Sequence, residues 1–288
     1  MRIMNTKEGR RRRSLLSFLI LIFLINFSPA ADNALPPSLQ VYTPRERLTY
    51  KVKYGFLRVG TLRLENLGLE EFAGEQLYHL RIFVDSNPKV PFVNIHDVYE
   101  SYTTNKSVPY YFVAREKEGD HILKTEYTFD YSRNSIRVKV SKVFKDSVQI
   151  IQQDTIGTNQ IYRDVLTLLF YARQLSPSPL KDYKIPTFVL TGRDSCYFWE
   201  SGHIRQIELK NEKIPAYYMS GKVKFIGIAG IKDKFEGWFS IDVAHVPLKA
   251  KMKAFFGSIK LELEKYENWP GHPIFYPDLM KKFNHTKK

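Results

Sequence analysis

The sequence predicts a mainly β protein with one large antiparallel sheet, curled or barrel-like, and a single amphipathic helix inserted mid-chain. Two observations carry this prediction. Apolar and polar residues alternate along most of the chain, which is the pattern of strands with one buried face. One stretch, TNQIYRDVLTLLFYARQL, has helical spacing instead. A sheet with this many strands commonly curls toward a barrel, because strands twist.

The first thirty residues have the layout of a secretory signal peptide, so residues 1–30 are set apart from the fold. Four consecutive arginines precede an uncharged apolar run from Leu15 to Phe27, and the tripeptide SPA then offers small residues for cleavage after Ala30. The run is shorter than the roughly 20 residues of a spanning helix. We expect an exported, periplasmic protein that does not span the membrane after cleavage; a retained N-terminal anchor is the alternative.

The charge of the mature chain limits its partners. Without the six basic and one acidic residues of the leader, the net charge falls from +14 to +9. This charge favours anionic surroundings, so lipid, anionic glycan or an envelope protein are the expected partners, and nucleic acid is not. Lysines on the solvent face of strands are the simpler explanation of the same charge. We predict no cofactor, no metal site and no catalytic residue, since no motif with suitable spacing occurs.

The rest of the chain divides into an extended segment at 31–44, a single β-rich domain at 45–267 and a basic tail at 268–288. Within the domain, strands after the first hairpin are predicted at 78–84, 97–104, 110–117, 122–131, 136–144, 187–191, 196–200, 204–209, 217–225, 237–242, 247–256 and 259–266.

The first hairpin runs from Leu48 to Glu65 and breaks at GFLRVG. Gly55 and Gly60 permit a positive φ or a bulge where one strand turns into the next. A phosphate-binding loop would need a helix directly after it, and strand pattern follows instead. The break is therefore interpreted as part of the scaffold.

The helix is predicted from apolar positions at 161, 165, 168, 169, 172 and 175, which share one face. Thr158 or Asn159 is the predicted N-cap, and Pro177 and Pro179 end the helix. We expect this apolar face to pack on the sheet. A plug or lid over a concave surface is the alternative, and it would matter for a protein that carries a ligand.

The last hairpin shows the clearest separation of two faces. Leu248, Ala250 and Met252 point one way, and the lysines between them point to solvent.

Cys196 is the only cysteine in the chain, so no internal disulfide can form. Its setting, SCYFWE, is typical of a strand, and we interpret Cys196 as a small buried residue rather than a nucleophile.

Four stretches of the chain form a recognisable set: ERLTYKVKYGFLRVGTLRLE, DVYESYTTNKSVPYYF, RDVLTLLFYAR and EGWFSIDVAHVPLKAKMKAFFGSIKLELEKY. Together they resemble DUF3108, a family of exported bacterial proteins known only as a domain of unknown function. The resemblance extends from about Arg45 to Tyr266. It implies a mainly antiparallel, barrel-like β fold in the envelope of a Gram-negative bacterium, and it transfers no catalytic residue.

Trp238 and Asp242 are the candidate ligand-facing residues. They lie four apart on one predicted strand, and so share a face, where the resemblance is densest. The structural alternative is that Asp242, before VAHVP, closes a turn by accepting bonds from backbone amides.

The favoured function is a non-catalytic envelope protein whose curved, aromatic-rich sheet binds an amphipathic or apolar molecule, or a partner protein, in cell-surface assembly. A glycan-binding module and a hydrolase of envelope polymers are the alternatives. A glycan-binding module would need a row of exposed aromatic residues, and the spacing of the tryptophans does not indicate one. The hydrolase would use paired carboxylates, whereas the acids stand mostly beside lysines at alternating strand positions.

We expect the mature protein to begin at Ala31, because the arginines, the apolar run and the SPA site together form a cleavable leader. N-terminal sequencing of protein purified from its own periplasm checks this. A sequence that starts at Met1 would show that the leader is kept.

Overall fold

The computed structural model describes residues 40–91, 94–223, 233–253 and 257–270. The predicted signal peptide, most of the extended segment, the strand ends at 224–225 and 254–256, and most of the basic tail lie outside these residues. All described residues belong to the unit 38–288. No helix among them is long and apolar enough to cross a membrane.

The described residues form fourteen strands and one helix. In chain order they are β1 (Arg47–Tyr54), β2 (Leu57–Phe72), β3 (Glu75–Ser86), β4 (His96–Thr103), β5 (Pro109–Glu118), β6 (His121–Asp130), β7 (Ser135–Val143), β8 (Val148–Gly157), α1 (Val165–Leu175), β9 (Lys181–Val189), β10 (Gly192–Leu209), β11 (Glu212–Val223), β12 (Asp233–Phe239), β13 (Pro247–Lys253) and β14 (Ser258–Glu267).

All of these strands belong to one antiparallel sheet, which confirms the predicted fold class. Consecutive strands pair with one another except β8 and β9, and β1 pairs with β14. Within the described residues the sheet is not closed, and β8 and β9 are its edges. The helix contacts β3, β4 and the distant edge strand β9, so the sheet curls around it.

The break in the first hairpin is a turn followed by a bulge, as the two glycines predict. Gly55 has a φ of +59° and begins the two-residue turn between β1 and β2. The register then shifts near Val52, opposite Gly60. A Cβ atom at Gly60 would lie 2.5 Å from the carbonyl oxygen of Asp85, so the neighbouring strand leaves no room for a side chain there.

The helix begins at Val165 rather than at 161, which corrects the predicted start and N-cap. Asp164 is the N-cap, and its Oδ1 accepts bonds from the amides of Leu166 and Thr167 at 2.8 and 3.0 Å. The preceding residue, Arg163, is held in an isolated parallel bridge to β9, so the chain before Asp164 is not helical. The end of the helix before Pro177 agrees with the prediction.

Several strands depart from the sequence prediction. β11 begins at Glu212 rather than at 217, and β12 extends from Asp233 to Phe239 rather than from 237 to 242. β8 has no predicted counterpart, because it lies at an edge with nearly all of its residues exposed, and its sequence VQIIQQDTIG lacks regular alternation. β9 begins at Lys181 rather than at 187. β10 is continuous where two strands are predicted, because irregular pairing between Phe198 and His203 interrupts the alternation without ending the strand.

The core extends past both predicted ends of the domain. Val41 and Tyr42 are buried before residue 45, and Trp269 is buried after residue 267. In the last hairpin the predicted faces are confirmed: Met252 is partly buried opposite Ile259, and its neighbour Lys251 is exposed.

A buried ion pair fixes the position of α1. The guanidinium of Arg173 is 0 % exposed and donates to both carboxylate oxygens of Glu46 at 2.7 and 2.8 Å. The same guanidinium donates to the carbonyl oxygens of Ala244 and His245 at 2.8 and 3.2 Å. Burial raises the pKa of Glu46, and the adjacent guanidinium opposes that shift. The helix is thereby tied to the start of β1 and to the loop between β12 and β13.

The imidazole of His245 adds a further link to the helix. Its Nδ1–H donates to the carbonyl oxygen of Arg173 at 2.8 Å. Burial lowers the pKa of His245 to about 4, although this hydrogen bond opposes the shift. The residue has a φ of +44°, a conformation that asparagine also tolerates.

We expect Arg173→Met to lower the free energy of unfolding by about 3–5 kcal/mol, because it leaves the buried carboxylate of Glu46 without a partner. Arg58→Met is the matched control, since Arg58 makes a bidentate pair with Glu264 at 2.8 Å at the surface. The control should lose under about 1 kcal/mol. Urea unfolding measures both losses, and equal losses would contradict the proposed importance of the buried pair.

The neutral burial of His245 should make stability fall in acid. Between pH 6.5 and pH 4 the unfolded chain binds a proton that the folded chain excludes, so the free energy of unfolding decreases by up to about 3 kcal/mol as the pH falls. His245→Asn keeps a donor for the Arg173 carbonyl and should lack this part of the slope. Denaturant unfolding of both proteins at each pH tests this; parallel pH profiles would refute it.

Candidate functional site

A cavity of about 280 Å³ lies against the face of β4–β8 that carries the main core. Its strand residues are Tyr99, Phe112, Ala114, Glu116, Leu123, Thr125, Tyr127, Val140 and Gln152. The opposite wall consists of Val165, Phe188, Val189, Leu190 and Thr191. The lining is mostly apolar, and the volume lies near the lower end, about 300 Å³, of the range for small-molecule sites.

The cavity exists because small side chains meet in the sheet. Ala114 pairs with Thr125 on one side and with Tyr99 on the other. At the next inward positions, Phe112 and Tyr127 are large and stack with 5.1 Å between their ring centroids. Alternate residues of a strand share a face, so the pair of Ala114 and Thr125 follows the aromatic pair on the inner face. These two side chains are too small to continue the aromatic packing, and space remains above them.

The turn between β9 and β10 lies over the cavity. Leu190 and Thr191 form this turn with φ values of +47° and +59°, the pattern of a type I′ turn, which strains residues other than glycine, asparagine and aspartate. The Thr191 amide donates to the Tyr127 hydroxyl at 3.1 Å. Phe188 packs edge-on against Tyr127 at 4.9 Å. Strained backbone is enriched at functional sites, and this turn borders the candidate site.

One carboxylate lines this apolar space. Glu116 Oε1 accepts a hydrogen bond from the Tyr99 hydroxyl at 2.7 Å. Burial raises the pKa of Glu116, the charges of Asp97 and Glu118 raise it further, and the Tyr99 bond opposes the shift. No Lys, Arg or His belongs to the described residues that line the cavity. The site therefore offers one carboxylate acceptor in surroundings that are mostly apolar and otherwise uncharged.

The structure does not place Trp238 and Asp242 on one strand, which corrects the reason for choosing them. β12 ends before Asp242, which lies in the following turn. Its buried carboxylate accepts bonds from the Ala244 amide and the Trp269 indole N–H, both at 2.9 Å. Trp238 is partly buried, with its ring centroid 5.5 Å from that of Tyr218. Asp242 thus has the turn-closing contacts of the structural alternative, and neither residue lines the cavity.

Cys196, the reactive side chain considered from the sequence, does not line the cavity. Cys196 is buried, and burial raises the pKa of its thiol to about 12, which keeps it protonated at neutral pH. Across the described part of the chain, no group of three or more His, Cys, Asp or Glu side chains is placed to hold a metal ion.

Sequence reasoning missed the residues that line the cavity. The available signal was the inward series Phe112, Ala114 and Glu116 on one strand, where a small residue and an acid follow an aromatic one. The residues of the opposite wall come from later in the chain. Their contact with these strands arises only in the tertiary structure, so local sequence patterns do not indicate it.

A comparison with family models matches residues 49–264 to a family described as a protein of unknown function, DUF3108. The chain belongs to this family. The resemblance noted from the sequence is therefore confirmed, and the family description specifies no activity.

Among solved structures, the chain is similar to a β-barrel-like protein of domain of unknown function DUF1849 from Brucella abortus. The TM-score is 0.54 at 9 % sequence identity, over 80 % of this chain and 99 % of that chain. At this identity the similarity shows the fold alone. No curated protein matches the chain.

Proposed function

We propose that the protein binds an apolar or amphipathic small molecule in the cavity beneath the β9–β10 turn, in the periplasm and without catalysing a reaction. Holding such a molecule during assembly of the cell surface is the role that this binding would serve. The leader-like N-terminus supports the location, and the described cavity supports the binding.

The observation that carries the proposal is the mostly apolar cavity at the edge of the aromatic core, open to solvent on one side. Protein interiors pack as densely as organic crystals, and large voids forfeit contacts between their lining atoms. Here the aromatic core of Phe112, Tyr127 and Phe188 stops beside a space of about 280 Å³. An apolar ligand would restore those contacts and remove the lining from water, at about 25 cal/mol per Å² of apolar area buried.

Filling the cavity should weaken this binding. Thr125→Phe places a ring above Ala114, whereas Thr128→Phe, on the same strand, places the same ring on the other face of the sheet. Calorimetric titration with octanol should show binding to the wild type and to Thr128→Phe. Thr125→Phe should bind at least about tenfold more weakly, a difference of 1.4 kcal/mol.

Melting temperatures of the two variants serve as the folding control. Equal octanol affinities of two folded variants would show that the cavity is not the binding site. Absence of octanol binding to the wild type would overturn the proposed function itself.

A further inference from the structure

We propose that the ligand of this cavity is a cationic amphiphile, an alkyl chain with an ammonium head group that pairs with the carboxylate of Glu116. This inference rests on the proposed function and specifies the chemical class of its ligand.

The first argument is the position of Glu116 among the lining residues. It is the one acidic side chain that the described lining contains, and its neighbours there are apolar or uncharged. Tyr99 donates to Oε1 at 2.7 Å, which fixes the orientation of the carboxylate. A carboxylate has about four acceptor positions, so one bond from Tyr99 leaves capacity for further donors. An ammonium group supplies three donors and a compensating charge.

The second argument is the charge around this end of the cavity. Asp97 and Glu118 are close enough to Glu116 to raise its pKa, and no cationic side chain belongs to the described lining. A fatty-acid carboxylate or a phosphate in the cavity would meet like charge without a cationic partner. A cation meets the opposite charge, in a setting where partial burial strengthens the attraction. Three neighbouring acidic side chains at this end contrast with the net charge of +9 expected for the mature chain.

A matched pair on the outer face of the sheet shows what differs at this site. Tyr111 donates to Glu126 Oε1 at 2.6 Å, in the same Tyr-to-Glu arrangement on neighbouring strands. There, however, Lys124 Nζ lies 2.8 Å from the same carboxylate oxygen and lowers the pKa of Glu126. On the inner face, the Glu116 carboxylate accepts the bond from Tyr99, and the described lining supplies no lysine beside it. The ammonium group of a ligand would take the place that Lys124 Nζ has beside Glu126.

Calorimetric titration with octylamine, octanol and octanoate tests the head-group preference, because the three probes share one alkyl chain. Octylamine should bind the wild type at least about tenfold more tightly than octanoate, as expected for a charge-assisted bond. Glu116→Gln, whose amide oxygen can still accept the Tyr99 bond, should weaken octylamine by at least about tenfold and leave octanol within about twofold. Glu126→Gln should change neither affinity.

The outcomes separate the inference from the function on which it rests. If octanol binds but octanoate binds as tightly as octylamine, or if folded Glu116→Gln keeps the affinity for octylamine, the cationic head group is wrong and the cavity remains a binding site. If octanol does not bind the wild type, the proposed function fails, and the inference fails with it. The ranking on the wild type decides the inference even if Glu116→Gln does not fold.

Discussion

A buried, bidentate ion pair between Arg173 and Glu46 holds α1 in place. It connects the helix to the start of β1, and the same guanidinium holds the loop before β13 through two carbonyl oxygens. Desolvating two charges is costly, and that cost is offset only where the geometry is good and the remaining donors are also bonded. Both conditions hold here, because the pair is bidentate and the guanidinium also bonds the loop carbonyls. The helix therefore has one position inside the curled sheet, and Val165 at its first turn becomes a fixed wall of the cavity.

The cavity follows from where this helix starts. Asp164 caps it, and the second oxygen of that carboxylate accepts a bond from Ser101 of β4 at 2.8 Å, which fixes the N-terminal end against the sheet. The residue before the cap pairs with β9 instead of continuing the helix, so Phe188 and the strained turn at 190–191 lie over the space above Ala114. Among the described residues that line this space, Glu116 is the one charged side chain. Apolar walls with one charged acceptor are the composition of a site for an amphiphile with a donor head group.

The fold could be predicted from the sequence to the extent that one face of each strand is buried. Alternation identified most strands and the faces of the last hairpin around Met252, because burial alone determines that pattern. It failed at the edge strand β8, which has no strongly buried face, and at β10, where bulges break the alternation. The helix start was misplaced, because the pairing of Arg163 with a later strand overrides the local capping preference. The cavity could not be predicted, since its opposite walls lie far apart in sequence. The placement of Asp242 on a strand was wrong because β12 ends at Phe239, whereas the turn-closing role that the sequence also predicted agrees with its contacts.

Methyl NMR during titration with octylamine shows whether the cavity is the ligand site. The Leu and Val methyl groups report on each location separately. We expect the shift changes to concentrate at the cavity-lining residues Leu123, Val140, Val165, Val189 and Leu190. Shift changes confined to exposed side chains elsewhere, such as Leu57, Leu69 and Val148, would contradict it.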